Sequence, residues 1–197
     1  MAIEIVFLNT KEIKAARKQI VSVYRAVFTL PPYCEDEAEA PSFAGRLLDH
    51  AQRRGFRCCV ARQDDQIVGF AYGFTATPGD GWWENVAERL TDEAVETWLM
   101  DCFAFAELAV IPSAQGRGIG GQLHDALLSG LPHRTAMLSA FQGETPALQL
   151  YRQRGWVTLL CDFAPPGSEH PYVVMGLQLP VAKNDTKPSR VGEMSNS

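Results

Sequence analysis

The sequence predicts a mixed α/β domain with a central, mostly antiparallel sheet flanked by helices. Three observations carry this. Residues 105 to 128, FAELAVIPSAQGRGIGGQLHDALL, read as strand, sharp turn and helix. Phe56 to Ala61 and Gln66 to Ala76 alternate around Asp64-Asp65 as a hairpin. Between and around these lie short helical and strand patterns with no internal repeat.

In chain order, Ile3 to Leu8 is a short strand. Thr10 can cap a helix in which Ile13, Ala16, Ile20, Tyr24, Val27 and Phe28 share one face. Leu30-Pro31-Pro32 ends it, and residues 31–41 form a loop with Glu35, Asp36, Glu37 and Glu39. Taken alone, that is a solvated acidic loop. Ser42 opens a second helix with Phe43, Leu47, Leu48 and Ala51 inward, before Gly55 and the hairpin. Gly69 and Gly73 interrupt the returning strand. Pro78-Gly79-Asp80-Gly81 then breaks the chain, and Trp82, Trp83, Val86, Leu90, Val95, Trp98 and Leu99 give a helical, aromatic-rich segment.

Phe105 to Ile111 is an apolar strand interrupted by Glu107, and Pro112 ends it because proline donates no ladder bond. Ile119, Leu123, Ala126 and Leu127 recur at helical spacing, and Gly130 with Pro132 closes that helix. Thr135 to Ala140 is the next strand. Thr145-Pro146 starts a helix as cap and first-turn proline, with Ala147, Leu150 and Tyr151 on one face and Gly155 at its end. Trp156 to Cys161 and Tyr172 to Leu179 are two final strands around Pro165-Pro166-Gly167. Residues 182–197 are polar and aperiodic, so a disordered tail is expected after one domain spanning 1–181.

Composition narrows the function. At 197 residues the chain can bury a sizeable core. No apolar run approaches the length of a membrane span, and the N-terminus lacks a signal-peptide pattern. Five cysteines (Cys34, Cys58, Cys59, Cys102 and Cys161) form no metal spacing, so no metal is expected and reduced thiols in a cytoplasmic protein are the default. The net charge of −5 argues against a nucleic-acid partner.

The turn Gln115-Gly116-Arg117-Gly118-Ile119-Gly120, followed by Gly121, carries the first functional inference. A helix N-terminus presents unpaired N–H groups and a partial positive charge. Glycines remove the Cβ atoms that would hold an anion away. Such a turn cradles a diphosphate. Gly116-x-Gly118-x-x-Gly121 formally fits the dinucleotide fingerprint of Rossmann folds. That fingerprint requires an acidic residue at the end of the next strand, and Thr135 to Ala140 has none.

A second pattern is filled completely. Leu108-Ala109-Val110-Ile111-Pro112 followed by Gln115-Gly116-Arg117-Gly118-Ile119-Gly120 resembles the acyl-CoA signature of the GCN5-related N-acetyltransferases (GNAT), Arg/Gln-x-x-Gly-x-Gly/Ala. Ala147-x-x-Leu150-Tyr151 and Gly155-Trp156 match that family's second pattern, with Glu144 where it has Asn. The resemblance covers roughly residues 104–157. It implies acetyl-CoA as co-substrate. It places the cofactor on Leu108, Ala109, Val110, Gln115, Gly116, Arg117, Gly118, Ile119, Gly120, Gly121, Glu144 and Tyr151, with the thioester carbonyl on the Val110 N–H.

The resemblance also puts Tyr151 at the family's general-acid position, where coenzyme A leaves as a thiolate needing a proton. Glu107, just before Leu108, can accept the amine proton directly or through water. Protein N-terminal acetyltransferases often carry a Glu in the fifth strand, where Ser139 stands here. Asp80, Glu84 and Asp101 are the fallback bases, and His124 beside Asp125 reads as a solvated helix residue. The acceptor side in this family adjoins the first inter-helix loop, so the acids at 35–39 become a rim that attracts an amine. Residues 78–100 lie outside the minimal pattern. They are an extra core-packing helix or a lid, in which Trp82 and Trp83, with Glu107, would contact the acceptor.

The expected activity is direct transfer of an acetyl group from acetyl-CoA to a primary amine of a small molecule, in a ternary complex. A protein or peptide amine is the second acceptor class, and a silent acyl-CoA-binding or sensing domain the rival of another kind. No cysteine marks a covalent relay, although Cys102 is close in sequence. The acceptor and the oligomeric state are not specified, a homodimer being one option.

Overall fold

The computed structural model describes residues 2–36, 39–164 and 170–180, with Glu39 described in its backbone alone. The expected tail, the loop Pro165-Pro166-Gly167 and Glu37 lie outside the described residues.

The elements follow the sequence closely. They are β1 (Ile3–Phe7), α1 (Thr10–Phe28), α2 (Glu39–His50), β2 (Arg57–Gln63), β3 (Gln66–Thr75), α3 (Gly81–Ala87), α4 (Asp92–Trp98), β4 (Cys102–Val110), α5 (Ile119–Leu128), β5 (Thr135–Phe141), α6 (Pro146–Gln153), β6 (Val157–Phe163) and β7 (Tyr172–Gln178). Several boundaries differ, each for a local reason. Asn9, not Thr10, caps α1, in a capping box where its side chain accepts from Lys11 and Glu12 N–H while Glu12 reaches back. Helix α2 begins before Ser42, because Pro41 is tolerated in a first turn. The tryptophan-rich segment is two short helices, the second capped by Thr91. Strand β4 starts three residues earlier than its apolar run suggests.

The sheet order is β1-β2-β3-β4-β5-β7-β6, and every pairing is antiparallel except β4 with β5. Alternation along the strands feeds two cores. On one face, Ile13, Ile20, Phe43 and Leu47 of α1 and α2 close over Val60, Phe70 and Tyr72. On the other, Ile119, Leu123 and Leu127 of α5 close over Cys59, Ala71 and Phe103. Each buried Val, Leu, Ile or Phe among them contributes about 1.5–3 kcal/mol by leaving water.

Two irregularities of β4 shape the middle of the sheet. The β4–β5 ladder spans only Cys102–Ala104 against Thr135–Met137, after which the strands part. The β3–β4 register also slips: Gly73 faces Phe105 and Tyr72 faces Glu107, so Ala106 is an extra residue in β4. Normal alternation would put Glu107 on the α5 side with Phe105. The bulge places it opposite Tyr72, on the α1–α2 side.

The two glycines of β3 are steric requirements. A Cβ at Gly69 would lie 2.9 Å from the Ala109 carbonyl oxygen, and one at Gly73 would lie even closer to that of Ala104. Both obstacles are backbone of β4 and cannot rotate away. Gly73→Ala should therefore lower stability by roughly 1–3 kcal/mol through overpacking. A fall in the urea midpoint at constant slope checks this, and an unchanged midpoint would refute the close approach.

Candidate active site

The parted strands make a gap whose edges are set by ladder parity. Ile111 N–H donates to Val68 O at 2.9 Å. Antiparallel bonds alternate along a strand. The N–H groups of Ala109 and Ile111 therefore face β3, and those of Leu108 and Val110 face the gap, beyond the last β4–β5 pair. A carbonyl laid along β4 would meet Val110 N–H. The Leu108 side chain packs toward α5 and Ala109 is buried toward α1.

At the end of β4 a short 3₁₀ turn (Pro112–Ala114) leads into the glycines. The Gln115 amide donates to the Val110 carbonyl at 2.8 Å, which ties the turn to the strand. Gly116 and Gly118 have φ of 73° and 75°, the left-handed region, and Gly118 caps α5 in that conformation. A Cβ at either would meet nothing within 4 Å, and one at Gly120 would touch only Val110 Cγ2, at 4.0 Å. The N-terminus of α5 is thus an open concavity of backbone donors, which fits a diphosphate. Arg117 lies on the outer wall, its Nη1 donating to Gln63 at 3.0 Å, and Ile119 is buried beneath the helix. Gly121 is covered differently: a Cβ there would run into the Arg154 guanidinium. Glu144 sits just before the α6 cap, 78% exposed, and pairs with Arg152 at 3.3 Å.

A cavity of about 990 Å³ also opens beside this turn, between α1, the β2–β3 turn and Pro112–Ala114. Neither Glu107 nor Tyr151 lines it.

Glu107 sits in the gap on the α1–α2 side, its side chain 17% exposed. Burial pushes its pKa up to about 7, against the pull of Arg46, whose Nη2 is 3.5 Å away; Glu35 adds to the rise. Around it the Tyr24 hydroxyl donates to Glu35 at 2.5 Å, and Arg46 Nη2 donates to Tyr24 at 3.3 Å. Tyr33, in the loop after α1, packs at a tilt against Phe28 and reaches Phe141 of β5 at 6.1 Å between ring centres. Its phenol is raised by burial and by Glu107. Tyr151 is buried on α6, edge-on to Phe105 at 6.0 Å. Burial, then Tyr33 and Glu107, raise its pKa, so it keeps its proton at neutral pH.

The two tryptophans part company. Trp82 Nε1 donates to Ser139 Oγ at 2.8 Å, spanning to β5 beyond the point where β4 leaves it. Trp83 is buried in the core and its Nε1 donates to the Leu99 carbonyl at 3.4 Å. The fallback bases are engaged in the scaffold: Asp80 pairs with Arg53, Glu84 accepts from Gly79 N–H at 2.7 Å, and Asp101 accepts from Arg134 N–H at 3.2 Å. His124 is not solvated. It is 3% exposed, bonded through Nδ1 to Asp125 at 2.7 Å and through Nε2 to Trp156 Nε1 at 2.8 Å. Trp156 can only donate, so Nε2 accepts and the imidazole is neutral, as its lowered pKa requires.

Arg46, Tyr24 and Tyr33 join the site without a motif to mark them. Arg46 occupies a polar position of an amphipathic helix, where an arginine normally meets water. Tyr33 follows Pro31-Pro32 in a loop without periodicity. The one signal for it is the expected place of this loop beside the acceptor.

The comparisons agree with this geometry. The model of the acetyltransferase (GNAT) family matches residues 19–156. The GCN5-like protein acetyltransferase Rv2170 of Mycobacterium tuberculosis is 25% identical over 92% of this chain and 100% of its own length. The ribosomal-protein-S18-alanine N-acetyltransferase of Escherichia coli superposes with a TM-score of 0.61 at 17% identity, over 93% of this chain and 98% of that one. The PaiA N-acetyltransferase of Thermoplasma acidophilum, solved with coenzyme A, gives 0.58 at 16% identity, over 90% and 99%. No helix among the described residues is long and apolar enough to cross a membrane. This chain is an acetyl-CoA-dependent N-acetyltransferase and belongs to the acetyltransferase (GNAT) family.

Proposed function

We propose that the chain acetylates the primary amine of a small molecule by direct transfer, with Glu107 as base and Tyr151 as acid. The observation that carries this reading is a carboxylate with pKa about 7 in the strand gap, on the face opposite the diphosphate cradle's helix. Bound acetyl-CoA supplies a thioester carbonyl already activated toward amines. Leu108, Ala109 and Val110 would hold its arm, and Gln115, Gly116, Arg117, Gly118, Ile119, Gly120 and Gly121 its diphosphate, with Glu144 and Tyr151 completing the site. The Val110 N–H faces the place where negative charge develops.

Glu107 takes the amine proton, which needs its ionised form, available above about pH 7. Tyr151 gives its proton to the departing sulfur. A covalent relay has little support, since burial pushes the Cys102 thiol up to about 12. Tyr33 against Phe141 and Trp82 against Ser139 wall the acceptor side, which favours a compact acceptor; residues 78–100 then serve as its cover. A protein amine is the second reading, because the relative Rv2170 is named a protein acetyltransferase. Thiol release measured with small amines against lysine and N-terminal peptides separates the two.

Substitutions at the cradle, the acid and the base have distinct expected outcomes. Gly120→Val keeps a helical backbone but fills the cradle, so coenzyme A affinity by calorimetry should fall by about 100-fold, the loss of a few hydrogen bonds to charge. Unchanged affinity in a folded variant would refute the cradle. Tyr151→Phe should cut kcat by roughly 10- to 1000-fold with coenzyme A affinity held, in the range of a lost general acid. Glu107→Gln should lower kcat/KM by about 100-fold or more and remove the limb that rises through pH 7. Retention of that limb would assign it to another group.

A further inference from the structure

The acceptor side contains a positive charge that a site for a simple cationic amine would not need. Arg46 comes from α2, with Nη2 3.3 Å from the Tyr24 hydroxyl and 3.5 Å from Glu107 Oε1. Its guanidinium lies over the Tyr24 and Phe43 rings at 5.9 and 5.5 Å, and the side chain is 39% exposed. A guanidinium carries five N–H donors in a rigid fork. The hydrogen bonds to Tyr24 and Glu107 both use Nη2, a contact with the Tyr72 phenol adds to them, and the bond to Glu107 is at the long limit of a hydrogen bond. Arg46 is therefore placed beside the base without being saturated by it.

The charges facing Glu107 come from every neighbouring element. Arg46 of α2 opposes Glu35 of the loop after α1, whose carboxylate already accepts from Tyr24. Burial keeps the phenols of Tyr24, Tyr33 and Tyr72 neutral. His50, bonded to Tyr72, is neutral too, its pKa pressed down to about 4 by burial and then by Arg53 and Arg46. The Glu37 and Glu39 side chains lie outside the described residues. One guanidinium thus stands against Glu35 and a half-ionised Glu107. These carboxylates attract the ammonium of an acceptor, and Arg46 offers a partner to a carboxylate on the same molecule.

Resting on the N-acetyltransferase reading, we propose that the acceptor carries a carboxylate next to its amine, as a free amino acid does, and that Arg46 binds that carboxylate. One carbon separates the two groups of an α-amino acid. A molecule whose amine meets Glu107 can therefore lay its carboxylate on the guanidinium fork. The same exchange strengthens the base. Arg46 now lowers the proton affinity of Glu107. Once paired with a substrate carboxylate it does so less, so Glu107 takes up the amine proton more readily when the correct acceptor is bound.

Initial rates with free L-amino acids and their primary amides test this. The wild type should prefer the acid over its amide by at least about tenfold in kcat/KM, the usual worth of a charged pair partly open to water. Arg46→Met should bring that ratio to about one while leaving KM for acetyl-CoA unchanged, and Arg46→Lys should keep part of the preference. If Arg46→Met does not fold, the wild-type ratio decides alone. Equal or faster turnover of amides, or no turnover of any free amino acid, overturns the proposal. Thiol release with amides, peptides or other amines would then still support the N-acetyltransferase reading, which falls only if no amine releases thiol.

Discussion

Everything at the site depends on the parallel ladder between β4 and β5 being abandoned after three residues. A strand buried in mid-sheet normally spends its N–H groups on both neighbours. Here one edge of β4 is withheld from Leu108 onward, and those donors are left outside the ladder. The cost is tolerable because the outer part of β5 is held by β7 over its whole length, Thr135 to Phe141. The two cores on either face then keep the separated strands in place.

The bulge and the gap act together. The gap alone would provide a ligand groove facing α5; the bulge turns a carboxylate into it from the other side of the sheet. The glycine turn of α5 and the Glu107 carboxylate therefore lie on opposite faces of one backbone segment. The spacing between the cradle and Tyr151 has its own fastening. His124 and Asp125 of α5 reach Trp156 and Arg154 past the end of α6, with Arg154 clasping Asp125 through Nε and Nη2. Gly121 is small because that arginine crosses it.

How much of this the sequence disclosed depends on range. The glycine turn, the Thr145-Pro146 cap and the hairpin are local, so their residues announce them. Such signals carry the fold class, and the motifs among them are what single out Glu107, Tyr151 and the glycine turn as candidates. The roles of Arg46, His124 and Trp83 are long-range. Arg46 meets Glu107 across 61 positions and His124 meets Trp156 across 32, and neither partner is marked by spacing. His124 beside Asp125 on a helix looks like a wet pair; only the indole arriving from β6's approach buries it. Trp82 and Trp83 are adjacent and chemically identical, and helical geometry alone sends one to Ser139 and the other into the core.

The extra residue in β4 also constrains how this chain can drift. Alternation along a strand is a reading frame of period two, and Ala106 is the point where the frame shifts. Loss of Ala106 itself would restore unbroken alternation, with Phe105 still on the α5 side and Glu107 still opposite Tyr72. Loss of Ala104 with the bulge kept would instead invert the start of the strand and turn Phe103 out of the α5 core. Substitutions can accumulate along β4 singly, whereas a change of length leaves both faces intact when it is absorbed at the bulge.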